Sequence, residues 1–248
     1  MHGDCARLTA LHDALYERFR PGDRIVYLGN YTGYGPRSAE TVDELLAFRR
    51  QILSIPGIKV DDLVYLRGGQ EEIWQKLLQL PFAPDPADTL LWMLGHGLSA
   101  TLESYGLSPH DAFIAAREGI MPLTRWIAKA RETTRGRAGH DLFQTHQRRA
   151  AFTAQDSGSS LLFVHAGINP ARDLHDQGDA LLWGGKMFSN IVIPYAPFHK
   201  VVRGFDPTHG GLHLNCVTAT IDGGCGFGGS LACAGFDAQG GIFEVLEA

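Results

Sequence analysis

Two histidines, an asparagine and a glutamate are the residues of this chain best suited to chemistry, and each sits on a short glycine-framed segment. His165 lies in Leu162-Phe-Val-His-Ala-Gly-Ile-Asn-Pro170, Glu71 ends Leu66-Arg-Gly-Gly-Gln-Glu71, Asn30 lies in Gly29-Asn-Tyr-Thr-Gly-Tyr-Gly-Pro36, and His2 precedes Gly3. Imidazole nitrogens can ligate a metal or carry protons near neutral pH, and a carboxylate can do either. Each residue also has a plainer reading. His165 reads first as a core histidine bonded to backbone, His2 as a disordered terminus, and Glu71 as a first-turn charge favouring a helix dipole. His209 and His213 have His-x-x-x-His spacing across Gly-Gly, but without a helix the pair need not converge on a metal. Gly223-Gly-Cys-Gly-Phe-Gly-Gly229 is rich enough in glycine to suggest a phosphate cradle, yet no Lys follows it, so a structural turn is expected.

The elements that must position these residues can be read from periodicity. Leu8, Leu11, Leu15 and Phe19 recur at helical spacing, and Pro21-Gly22 stops that helix. Arg24–Leu28 is an apolar strand feeding the Gly29–Pro36 loop, and Ser38–Leu53 is an amphipathic helix with Ser38 as its expected N-cap. Leu63–Leu66 is a second strand. The three form a β–α–β unit whose loops lie at the strand C-termini, the edge where open α/β sheets collect ligands. From Glu71 to about Ala151 the pattern is mainly helical. Ser160–His165, Lys200–Arg203, Val217–Ile221, Ser230–Ala234 and Ile242–Val245 then read as strands between glycine-rich turns.

Bulk properties narrow the classes. A chain of 248 residues with formal charge −5 has no global pull toward nucleic acid, and the basic residues between Arg125 and Arg149 read as solvated helix faces. No apolar run approaches the ~20 residues of a membrane span, and no apolar core follows Met1-His2-Gly3-Asp4 as in a signal peptide. Cys5, Cys216, Cys225 and Cys233 lack metal or disulfide-scaffold spacing, so a cytoplasmic protein with reduced thiols is expected.

Taken in order along the chain, these segments resemble the motifs of the calcineurin-like metallophosphoesterases, bacterial serine/threonine protein phosphatase branch. His2-Gly3 resembles the end of Gly-Asp-x-His-Gly. Gly29–Pro36 resembles Gly-Asp-x-x-Asp-Arg-Gly-Pro, and Leu66–Glu71 resembles Leu-Arg-Gly-Asn-His-Glu. Leu162–Pro170 is nearly the family sequence, and Val201-Val-Arg-Gly-Phe-Asp-Pro207 resembles Val-Val-His-Gly-His-Thr-Pro. Ala100-Thr-Leu-Glu-Ser-Tyr-Gly106, Leu181-Leu-Trp183 and Ile221-Asp-Gly-Gly224 match flanking pieces.

The resemblance implies a fold and a loss. The fold is α/β, a metallophosphoesterase-type four-layer sandwich of two mixed β-sheets flanked by helices. It would form one domain over residues 1–248 with a helical insertion at about 72–155. His2 and His165 stand at metal-ligand positions, whereas Asn30 replaces the bridging Asp, and Gly69 and Phe205 replace an Asn and a His ligand. The Asp two residues before His2 falls outside the sequence. Gln70 replaces the general acid, Gly33 its orienting Asp, and Tyr34 and Gly185 the phosphate-binding Arg residues. Two dications ~4 Å apart repel by roughly 15–20 kcal/mol at an effective dielectric of about 20, and Asn30 supplies no charge to offset that. An amide cannot act as a general acid near neutral pH.

A catalytically inactive homologue is therefore expected, a binding or regulatory protein that takes a protein partner or small ligand at the vestigial site around Tyr34, Glu71 and Gly185. The alternative is a phosphoesterase with weak or altered metal-dependent activity. No cofactor is expected under the first reading; one divalent ion (Mn, Zn or Fe) would serve the second. Tyr31, Tyr34 and Phe205 would line an apolar pocket at the old site or plug the space left by lost ions.

Overall fold

A computed structural model describes residues 1–153, 160–184 and 188–248. The first β–α–β unit forms as its periodicity predicts: β1 (Ile25–Tyr27), α2 (Ser38–Leu53) and β2 (Leu63–Tyr65), behind α1 (Cys5–Tyr16). β1 and β2 pair in parallel with Tyr27 opposite Tyr65, and their rings stack 4.8 Å apart. The alternate residues Ile25, Tyr27, Leu63 and Tyr65 are buried against Leu8, Leu11, Val42, Leu45 and Phe48 of the two helices.

The second half builds a five-stranded mixed sheet in the order β3-β4-β5-β7-β6, from Ala150–Phe152, Leu161–Val164, Lys200–Arg203, Thr218–Thr220 and His213–Leu214. β8 (Ala232–Phe236) and β9 (Ile242–Glu247) form an antiparallel hairpin. One side of this hairpin, with Ala232, Ala234, Phe236 and Ile242, packs on Val202, Ala219 and Ile221 of the five-stranded sheet. Its other side, with Cys233 and Leu246, joins the core under α1 and α2. The opposite face of the large sheet buries Leu162, Val164 and Val201 under Ile168, Leu181, Tyr195 and Phe198. Two sheet layers thus lie between two outer layers, the α/β arrangement expected from the sequence.

The helical segment runs from α3 (Gly69–Leu77) through α4 (Pro86–Met93), α5 (Ser99–Ser104), α6 (Pro109–Glu118) and α7 (Ile120–Arg135) to α8 (His140–Thr145). It has its own apolar centre, including Trp74, Leu90, Leu102, Leu123 and Ile127. Its end is earlier than expected, because β3 already pairs with β4 at Ala150. A kink at His96 and Gly97 (φ +99°) separates α4 from α5. Among the described residues no helix is long and apolar enough to cross a membrane.

Ser38 is not the N-cap of α2. Arg37 precedes the helix and makes no side-chain cap, while the Ser38 hydroxyl accepts from Gly33 N at 3.2 Å and lies 3.4 Å from Thr101 Oγ1. The hydroxyl joins the loop and the helical segment instead of closing the helix.

Candidate functional site

The loops after β1 and β2 meet around one carboxylate. Glu71 Oε2 accepts from Asn30 N at 2.9 Å and Gly68 N at 3.0 Å; Oε1 accepts from Tyr31 N at 2.9 Å and Thr32 N at 3.3 Å. Four backbone donors from two loops thus converge on a side chain that is 5% exposed. Burial pushes its carboxyl above the ordinary value, and the four N–H groups oppose that rise. Glu71 is more than a first-turn charge: it ties the two loops together. Gly68 permits the approach, since a Cβ there would collide with Asn30 N and Oδ1.

The positions implied as metal ligands are drawn to the same edge, but their donor atoms are engaged elsewhere. Asn30, in the left-handed region at φ +54°, accepts from Gln70 N at 3.0 Å through Oδ1 and points Nδ2 at His2 Nε2, 3.3 Å away. Gly69 lies under Trp183, whose ring would stand 2.8 Å from any Cβ added there. Phe205 stacks on His165, with ring centroids 5.4 Å apart and planes 12° from parallel. His165 Nδ1 donates to Leu28 O at 2.6 Å, as a core histidine would, while its buried Nε2 has no partner. Burial drives the His165 pKa down to about 4, so the ring is neutral at pH 7. His2 is not disordered: it is 4% exposed, its N–H bonds Asn30 O at 2.8 Å, and its Nδ1 is buried without a partner.

Among the described residues no three His, Cys, Asp or Glu side chains come together as a metal group. The donor set does not fit a pair of divalent ions. Asn30 is neutral and uses both ends of its amide, and Phe205 brings a ring without a lone pair to the face of His165. A polar cavity of about 40 Å³ remains, walled by His2, Asn30, Phe205, Asp222, Cys225 and Ser230. That is room for very few waters.

An aromatic cover lies over this region. Phe205 meets His209 edge-on at 5.6 Å, His209 stacks on Phe227 at 4.0 Å, and Phe227 meets Tyr34 at 4.8 Å. His2 contacts both Tyr34 and Phe227, at 5.4 and 5.2 Å. Tyr34 and Phe227 remain 38% and 45% exposed. Tyr31 is not part of the cover: it is sealed behind the loop, its hydroxyl donating to Leu66 O at 2.7 Å and its ring against Tyr65 and Phe143.

Gln70 and Gly33 lie beside the cover. Gln70 Nε2 donates to His96 O at 2.9 Å, tying the site to the kink between α4 and α5. A Cβ at Gly33 would stand 2.6 Å from His2 Nδ1 and 3.0 Å from the Gln70 side chain. His96, at the kink, belongs to a second group of rings. Trp92 stacks on His96 at 4.3 Å and meets Trp183 at 6.5 Å.

The sequence reading brought His2, Asn30, Gly33, Tyr34, Gly69, Gln70, Glu71, His165 and Phe205 to one edge, and the structure places them there. Gly185 lies outside the described residues. Phe227, Asp222 and Arg203 were not read as site residues, and His209 was weighed only as a metal partner of His213. Asp222 accepts from Asp206 N at 2.9 Å and faces His209 Nδ1 at 3.3 Å. His209 thus pairs with a carboxylate, while His213 is exposed on β6 opposite Thr220. Arg203, where the motif has a His, is buried with Asp206 at 3.0 Å and Phe188 beneath its guanidinium at 4.3 Å. The only signal for Phe227 was its place within the glycine-rich turn.

No protein-family model matches the chain, and no curated protein sequence matches it. Among solved structures, the chain is similar to "a putative diadenosine tetraphosphatase", with a TM-score of 0.52 and 18% identity over 99% of this chain and 89% of that one. A "protein serine/threonine phosphatase from Saccharomyces cerevisiae with similarity to human phosphatase PP5" gives a TM-score of 0.47 and 14% identity, over 94% of this chain and 69% of that one. At such identity the first likeness establishes the fold, which is metallophosphoesterase-like.

Proposed function

We propose that this chain is a catalytically inactive relative of the metallophosphoesterases of the serine/threonine protein phosphatase kind, and that it works in the cytoplasm as a binding or regulatory protein. The observation that carries this reading is the fate of the ligand positions. Asn30 is committed at both ends of its amide, Gly69 is covered by Trp183, and Phe205 lies against His165. Gln70, at the general-acid position, is an amide bound to His96 O. Loss of ligands and acid together removes the activated water and the proton donor that two-metal hydrolysis requires. What persists is a loop edge held by Glu71 and faced with exposed rings, which suits a protein partner or a small ligand. Neither nucleic acid nor a membrane surface is the expected partner for a chain of charge −5.

One observation favours a second reading. The unpartnered Nε2 of His165 is a lone pair next to the ring of Phe205, which also walls the polar cavity. A single Mn, Zn or Fe ion held there would give a weak or altered hydrolase. Hydrolysis of an aryl phosphate with and without Mn²⁺ separates the two. The binding reading predicts no metal-dependent turnover in the wild type. Turnover that His165→Ala abolishes would overturn it.

A further inference from the structure

Helix α2 carries two adjacent carboxylates, and each ends a relay through a buried histidine to a buried tyrosine. Within the sandwich, His12 Nδ1 lies 2.6 Å from Glu44 Oε1, and His12 Nε2 lies 3.1 Å from the Tyr27 hydroxyl. Toward the helical segment, His140 Nε2 lies 2.8 Å from Asp43 Oδ1, and His140 Nδ1 lies 2.8 Å from the Tyr105 hydroxyl. These contacts fix the tautomers. A carboxylate must receive N–H, so the other ring nitrogen carries a lone pair and accepts the tyrosine O–H.

The two relays differ in what they join. His12, Glu44 and Tyr27 all belong to α1, α2 and β1, with Phe48 stacked on His12 at 3.8 Å. His140 opens α8, Tyr105 follows α5, and Asp43 reaches them from the sandwich side. The charged groups facing His140 are Asp43 and Arg137, which are themselves paired at 2.7 Å. Arg137 also lies 5.8 Å above the Tyr105 ring. Glu40, which bears on Tyr105, keeps one buried carboxylate oxygen without a partner.

A second proton on His140 would turn Nδ1 into a donor aimed at the Tyr105 oxygen. Tyr105 would then have to turn its own hydrogen away inside a site where His140 is 0% exposed. The neutral relay cannot persist unchanged in that state. Burial already favours the neutral ring, holding the His140 pKa below the ordinary histidine value. Such a group contributes fully above about pH 6.5 and loses its contribution as the pH falls below that.

We propose that the Asp43–His140–Tyr105 relay is a proton-operated latch that holds the helical segment against α2 at neutral pH and releases it in acid. Release reaches the candidate site, because the same segment supplies the His96 carbonyl that binds Gln70 and the Thr101 hydroxyl beside Ser38.

Hydrogen exchange of the full chain at pH 7.5 and 5.5, corrected for intrinsic rates, tests this. Protection of α5 to α8 is expected to fall at least tenfold more than that of β4 and β5. His140→Gln can still donate to Asp43 and accept from Tyr105 but cannot take the proton, and is expected to remove that difference. His12→Gln should leave it in place. An equal loss across both regions, or an unchanged acid response in His140→Gln, would overturn the proposal. Should His140→Gln fail to fold, Tyr105→Phe serves instead: it removes the hydroxyl conflict, and a full acid response in that variant would be equally contrary.

Discussion

Glu71 and His165 are both sealed from solvent at the ends of the strands, yet their surroundings are opposite. Every donor around Glu71 finds an oxygen, and the two loops from which those donors come are fixed in place. His165 is bonded on one side only, its other nitrogen has no partner, and the ring of Phe205 stacks against it. The contrast separates two jobs, shaping the backbone and holding an ion. Shaping the backbone rests on Glu71 and on the glycine at 68 that lets the loops approach. Holding an ion needs free donor atoms, and here position 30 is an amide already engaged at both ends and position 205 a ring without a lone pair.

The largest expected effect is on the satisfied half. Glu71→Ala would leave four buried N–H groups from two loops without an acceptor, at a cost of roughly 3–5 kcal/mol. Urea unfolding measures it, and a loss below about 1 kcal/mol would mean that the loops do not depend on that carboxylate.

The next effect belongs to His165. Its folded pKa of about 4 lies below the ordinary histidine value of about 6.5, so the unfolded chain binds the proton first. Stability is then complete above about pH 6.5 and falls as the pH drops toward 4, by roughly 3 kcal/mol at most. His165→Gln, which cannot titrate, should flatten that part of the stability–pH curve relative to the wild type.

Phe205→Ala removes a half-buried ring, for which about 1–2 kcal/mol is expected, less than the usual cost at a fully buried site. More tellingly, it should let water reach Nε2 and move the His165 titration upward, as read by NMR. An unmoved titration would show that Phe205 does not seal the ring. Smallest is Asn30→Asp in acid, where the new carboxyl is neutral: the acceptor for Gln70 N survives and the amide donor facing His2 is lost, so about 1 kcal/mol of destabilisation is expected. At neutral pH the loss should grow, because a second carboxylate would be buried beside Glu71; an equal loss at both pH values would mean that the site tolerates the charge.

Much of this was legible in the sequence because it rests on local rules. The β–α–β unit follows from apolar periodicity, and α2 spans Ser38–Leu53 as read. The grouping of His2, Asn30, Glu71, His165 and Phe205 came from the order of motif-like segments along the chain, with most of those segments placed at strand ends. What was not legible depends on pairs distant in the chain. The Ser38 hydroxyl could be assigned to a cap only in ignorance of Gly33 and Thr101. His209 invited pairing with His213 by spacing, while its partner Asp222 lies across the fold. Phe227, within a run of glycines, gives no hint of covering His2. The relays of His12 and His140 are equally hidden, since each assembles from three separate elements.

Metal content of the purified protein, after saturation with Mn²⁺ and removal of free ion, tests most directly whether this edge can hold ions. A stoichiometry near zero per chain is expected, because Asn30 is engaged at both ends of its amide and Phe205 has no lone pair to offer beside His165. Two ions per chain would contradict it and require donors other than those at the motif positions.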